Sequence, residues 1–173
     1  NIMACNLTQG RLIDCRSNTG GISEVLIANF ENVQIGTVAA GVITAMTQTA
    51  ATDFYRYNLE KENGSLIETQ TGSLENGTNF YDSVLEFTTK NLTAAESQEL
   101  TLLEQARLFV IIKTNNGKYW TVGAFFAADK LTGTSVTGMA FGDMSGYSYS
   151  ITAKEAVRML EVDSTVIAGL TIS

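Results

Sequence analysis

Residues 137–152, TGMAFGDMSGYSYSIT, hold three glycines within nine positions, with Asp143 between the last two. Glycine turns of this kind cradle phosphate when a strand leads through them into a helix and a lysine and hydroxyl follow. Here the residues that follow alternate tyrosine and serine, the period of a strand, and no lysine stands in the required place. Asp143 has no second carboxylate within four residues with which to share a calcium ion. The stretch reads as a turn that feeds a strand.

Two carboxylate pairs, Glu60 with Glu62 and Asp82 with Glu86, have the residue types of a glycosidase acid and base. Alternating charge is also the ordinary state of the wet face of an antiparallel strand, and that is how we read both pairs. Tyr55, Tyr57, Tyr119 and Trp120 are read as cross-strand and core packing, with a ligand surface as the alternative. The chain has no histidine. Acid–base catalysis at neutral pH, activation of a nucleophile and most zinc or copper sites lean on imidazole, so the expectation is no enzyme, no metal and no cofactor. Cys5 and Cys15 have no CxxC or histidine partner and read as buried or idle thiols; their spacing leaves a disulfide open. Asn-x-Ser/Thr triplets at Asn6, Asn63, Asn76 and Asn91 are explained by a sequence rich in those residues.

The charge balance narrows the partners. Eighteen Asp and Glu stand against eleven Lys and Arg, a net charge of −7, and the basic residues form no cluster. Affinity for nucleic acid comes from neutralising phosphates, so this chain should repel DNA instead of gripping it. No run of eighteen apolar residues occurs, and no membrane partner is expected. The first residues lack the pattern of a secretory leader, and Met3-Ala4 looks like a cytoplasmic start with two residues ahead of it. The 173 residues suit one domain with a real core.

These residues must be positioned by short elements. Strands are expected at residues 25–30, 42–48, 53–61, 65–72, 78–90, 108–114, 118–126, 134–141 and 146–155, with one more at 166–172, punctuated by Gly, Asn and Asp. Along 78–90, Tyr81, Leu85 and Phe87 share one face, and Asp82, Glu86 and Thr88 the other. The period then changes: Thr93 with Glu96 forms a capping box, Glu96 and Glu99 stand early and Arg107 late, and Leu100 and Leu103 mark the apolar side of a helix over about 93–107. The fold expected is mainly β, a β-sandwich or small barrel of about eight to ten antiparallel strands with that one flanking helix.

Three segments together carry a resemblance: ACNLTQGRLIDCRSNTGGISEVLIANF, ENGTNFYDSVLEFTTKNLTAAESQEL and GMAFGDMSGYSYSITAKE. They resemble virion proteins of tailed bacteriophages of Bacteroidetes-type hosts, and the chain looks like a member of the major tail tube protein family. The resemblance implies a sandwich with one helix inserted between strands, and rings, expected to be hexamers, stacked into a hollow tube with other tail proteins. It implies a virion component assembled in the host cytoplasm, through which double-stranded DNA passes without sticking. On that reading the polar faces of residues 53–60, 65–71 and 82–88 line the channel, with Asp53, Glu68, Asp82, Glu86 and Thr88 in the lumen. The loop over 60–79, with Glu60, Glu62, Asn63, Glu75, Asn76 and Asn79, reaches the neighbouring ring. A capsid decoration or head-fibre protein, a carbohydrate-binding module and a carboxylate glycosidase are the rival readings.

Overall fold

The run LFVIIKT forms the strand around which the molecule is built, and five of its seven residues are buried. A strand so continuously apolar needs cover on both faces. The computed structural model, which describes residues 5–173, supplies that cover from two sides. Met3 and Ala4, read as a start signal, lie outside the described residues.

In chain order the elements are β1 (Ile22–Asn29), a single 3-10 turn (Phe30–Asn32), β2 (Val33–Ala39), β3 (Val42–Gln48), β4 (Tyr55–Asn58), β5 (Gly64–Ser73) and β6 (Thr78–Lys90). The helix α1 (Ala94–Gln105) follows, then β7 (Leu108–Thr114), β8 (Tyr119–Val122), β9 (Ala128–Val136), β10 (Gly146–Glu155), β11 (Glu161–Val162) and a short α2 (Ser164–Ala168). Strands take up 49% of the chain and helices 12%, which makes the fold mainly β and consistent with a β-sandwich, as expected.

Pairing divides the strands into two sets. β4, β1, β7, β8, β11, β3 and β2 lie side by side in that order, and β9, β10, β6 and β5 form a four-stranded antiparallel set. The sets are joined through Leu108 and Ala128 alone. One core lies between them: Val25 and Ile27 of β1 and Val110 and Ile112 of β7 meet Leu85, Phe87, Tyr149 and Ile151, with Leu100 and Leu103 of α1. A second core covers the other face of β1 and β7, where Leu26, Phe109 and Ile111 pack on Ile43, Phe54, Val162 and Ile167.

Several expectations need correction. Two strands, β2 and β11, were not anticipated, so the described residues hold eleven instead of eight to ten. The strand expected at 134–141 lies earlier, at Ala128–Val136, and residues 137–145 are a loop. Residues 118–126 hold only the short β8, since the chain turns at Gly123 with φ +76, where an added Cβ would lie 2.4 Å from the Ala128 nitrogen. Residues 53–61 keep four strand residues. The strand expected at 166–172 gives its first three residues to α2, because the Asp163 carboxylate accepts from the Thr165 amide (3.0 Å) and caps a helical turn. What survives there is one parallel bridge, Ile172 to Phe54.

Candidate functional site

The four-stranded set decides where the expected site residues go. In β10 the alternation of GYSYSITAKE puts Tyr147, Tyr149, Ile151 and Ala153 inside, buried, and Ser148, Ser150, Thr152 and Lys154 outside. The tyrosines do more than fill space. Tyr149 stacks flat on Phe87 with ring centres 4.5 Å apart, and its hydroxyl donates to the Glu96 carboxylate at 2.7 Å. Tyr147 donates to the Thr93 carbonyl at 3.0 Å and also pairs with the Ser97 hydroxyl. The first turn of α1 is thereby clamped to the sheet. Burial and the adjoining carboxylate push the Tyr149 hydroxyl well above the usual phenol range.

Half of the expected capping box forms. Thr93 accepts from the Glu96 amide (3.2 Å), but the Glu96 carboxylate does not reach back to the helix start. It accepts instead from Thr89 and Tyr149, both at 2.7 Å, two hydroxyls that burial would otherwise leave to find another partner. Arg107 falls just past the helix end and lies 4.9 Å from the centre of the Phe30 ring.

The outer face of the set is mostly polar, interrupted by Ile67, Val84 and Phe80. Cross-strand register places Asp82, Glu86 and Thr88 of β6 beside Ser65, Thr69 and Thr71 of β5, and beside Ser148, Ser150, Thr152 and Lys154 of β10. β9 adds Thr132, Thr134 and Asp129 to the same face. Three expected lumen residues, Asp82, Glu86 and Thr88, are therefore together on a surface dominated by hydroxyl groups. Asp82 and Glu86 are four residues apart on one strand, about 13 Å at the backbone. Carboxylate pairs that hydrolyse glycosides stand with their carboxyl groups about 5–9.5 Å apart, closer than these two backbone positions.

Glu68 departs from the expected face. Its cross-strand partner is Ser83, on the inner side with Leu66 and Leu85, and its side chain is only 7% exposed. It accepts from the Met159 amide at 2.7 Å and meets Arg158 at 3.4 Å. Asp53 is also elsewhere: it precedes β4, in the larger set, and accepts from the Ser173 hydroxyl at 2.6 Å.

The expected contact loop over 60–79 is two separate turns. Residues 64–73 are β5, fully paired to β6, so the two Asn-Gly turns lie at opposite ends of a strand ten residues long. Glu60, Glu62 and Asn63 sit at the end where β6 finishes: Glu60 pairs with Lys90, and Asn63 donates to the Thr88 carbonyl at 2.7 Å. Glu75, Asn76 and Asn79 sit at the other end, around the hairpin tip.

Both flanks of the four-stranded set are open. Among the described residues β5 pairs only with β6, and β9 pairs only with β10 beyond its first residue. Each therefore presents an unpaired row of backbone groups, a state that folded proteins usually cover or pair.

The 137–145 loop is ordered by its own aspartate. One Asp143 oxygen accepts from the Met139 amide (3.0 Å) and the Ala140 amide (2.8 Å), which holds its carboxyl below the usual range. Gly138 takes φ +72, and a Cβ there would come within 2.6 Å of the Asp143 Cβ. At Gly146 a Cβ would lie 2.0 Å from the Thr89 carbonyl oxygen, so glycine lets β10 begin against the end of β6. The motif is a built turn, and one oxygen of its carboxylate is already occupied by backbone.

The aromatic residues mostly pack. Tyr57 rests against Phe87 and Tyr149 at about 6 Å, and Trp120 joins the same core, while Tyr119 lies on the second core beside Lys113 and Tyr55 stays half exposed. Cys5 and Cys15 are both free and exposed, in contrast to the buried reading. Among the described residues no helix is long and apolar enough to cross a membrane. Comparison with known protein families, with curated proteins and with solved structures returned no match.

Proposed function

We propose that this chain is a virion structural subunit of the tail tube type, which closes into rings through its four-stranded sheet and forms a channel for DNA in a phage tail. The observation that carries the reading is the pair of open flanks. Antiparallel order makes β9 and β5 run in opposite directions. Copies related by rotation about an axis along the strands would then bring β5 of one against β9 of the next in antiparallel register. Every flank is satisfied and the sheet is continuous. An even number of strands per copy is what makes that junction antiparallel.

Six copies give a channel wide enough for a duplex, and four do not. At about 4.8 Å per strand, six sets of four untilted strands give a circumference of roughly 115 Å and a backbone diameter of roughly 37 Å. Side chains take about 5 Å from each wall, which leaves roughly 27 Å. Four copies would leave roughly 14 Å, less than the summed depth of about 16 Å of the two grooves of a duplex.

The hydroxyl-rich face would form the lining. Asp82, Glu86 and Asp129 oppose Lys154, while Lys90 is neutralised by Glu60, so the wall is weakly acidic and offers phosphate no basic row. DNA held by such a wall would release few counterions and would slide. On this reading the protein is no enzyme and needs no cofactor; its partners are copies of itself and other tail proteins.

Sedimentation velocity with negative-stain imaging of the purified protein tests the proposal. Rings with a central hole, alone or in rods, are expected. Monomers at all concentrations up to the millimolar range contradict it, and compact trimers would favour a shell-decorating protein.

A further inference from the structure

The two ends of the four-stranded sheet both carry exposed apolar side chains. At one end the 137–145 loop projects Met139 and Phe141, both fully exposed. The cross-links from Asp143 fix its backbone, so little ordering is needed when it binds. At the other end lies an open recess of about 460 Å³ lined by Phe80, Phe126, Lys154 and Ala156. Phe80 and Phe126 keep 37% and 62% of their surface exposed there. The recess is also built: buried Glu155 accepts from the amides of Phe125 (3.1 Å) and Phe126 (3.0 Å) and so holds its wall. Lys154 lies 5.8 Å from the centre of the Phe80 ring and leaves a positive charge at the rim.

The separation is set by β6. Phe80 lies near the start of the strand at the recess and Lys90 ends it opposite Gly146, where the loop joins β10. Ten residues of strand span about 33 Å. Two apolar surfaces at opposite ends of one axis cannot meet within a molecule. Between molecules they make a head-to-tail contact that repeats along the axis.

We propose that Met139 and Phe141 of one copy seat in the Phe80–Phe126–Ala156 recess of a second copy, and that this contact stacks one ring on the next. Asp143 beside the knob then approaches Lys154 at the rim, so opposite charges flank the apolar contact. The Asp143 oxygen not held by the loop backbone is free to face it. Exposed apolar patches commonly mark interaction sites. This inference rests on the ring reading above, since the contact joins rings and does not close them.

The test uses two variants of the full chain, Phe141→Asp in the knob and Phe126→Asp in the recess, with wild-type protein beside them. Rods and rings are counted by negative-stain imaging. Each variant should keep its rings and lose rods at least tenfold. Preformed rings of the two variants, mixed in equal amounts, each retain one intact end and should give paired rings and nothing longer. Rods that persist in both variants overturn the contact while leaving the ring reading standing. Absence of rings in wild-type protein overturns the ring reading and the contact with it. If a variant loses its rings too, a milder change, Phe141→Ala, must still shorten rods while sparing rings; equal loss of both overturns the contact.

Discussion

Glu68 and Glu86 both lie on the β5–β6 hairpin, yet they face opposite sides of the sheet, and their removal should have different consequences. Glu86 is exposed on the outer face, so Glu86→Ala should change stability by less than about 0.5 kcal/mol. Glu68 is buried and accepts the Met159 amide at 2.7 Å, a bond to a charged group worth about 1.5–3 kcal/mol. Its pairing with Arg158 adds about 0–1 kcal/mol, because the guanidinium is 69% exposed and screened. Glu68→Ala should therefore cost about 2–3 kcal/mol, and Glu68→Gln, which keeps an acceptor oxygen, about half of that. For a chain of this length that corresponds to a fall of about 5–10 °C in Tm. The single tryptophan, Trp120, packs against the core between the two strand sets and reports unfolding in urea by fluorescence. The measurement belongs at concentrations where all variants share one assembly state. A Glu68→Ala loss within 0.5 kcal/mol of wild type, or an equal loss in Glu86→Ala, would refute the assignment of the two faces.

Three other perturbations follow from the buried polar groups. Burial, with Glu99 and Glu96 nearby, pushes the Tyr57 hydroxyl up to about 12, so the folded state holds this proton where the unfolded chain loses it near 10. Stability should fall as pH rises from about 10 to 12, by about 1–2 kcal/mol once partial solvent contact is allowed for, and Tyr57→Phe should reduce that slope. Burial raises the Glu155 carboxyl despite two amides donating to it, and its second oxygen is buried without a partner. Its contribution is therefore present below the unfolded carboxyl range and lost as pH rises through the folded value; Glu155→Gln should remove that dependence in urea titrations run at several pH values. Lys130 is buried and pairs with half-exposed Glu104 at 3.4 Å. Glu104→Ala should cost about 1–2 kcal/mol by leaving the ammonium alone, whereas Lys130→Met should be close to neutral or stabilising in the same assay.

The strand–helix–strand run from β6 to β7 was legible because its signals are local. The alternation through Leu85 and Phe87, the Thr93 cap and the apolar LFVIIKT each speak within a few residues. Glu68 was not, since in SLIETQTG either parity offers apolar residues: Leu66 on one, Ile67 on the other. The register against β6 decides, pairing Leu66 with buried Leu85 and leaving Ile67 outside. Residues 166–172 are rich in β-branched side chains, but the Asp163 cap and Gly169 enclose a short helix there. β11 has two residues, and its parallel pairing with β3 carries no sequence period at all. The Glu96 link to Tyr149 spans 53 residues and exists only once the sheet is assembled. The outer hydroxyl face was half legible: β10 alternates openly, whereas the contribution of β9 depends on a register shift at Leu131 that lets Thr132 and Asp129 reach the same side.

A density map of the assembled protein, at a resolution that separates strands, tests the central claim most directly. The account predicts one continuous antiparallel sheet around a hole, with β5 of each copy hydrogen-bonded to β9 of the next and with Asp82, Glu86 and Thr88 pointing inward. Copies that touch only through loops, or a ring in which those three side chains point away from the hole, would contradict it.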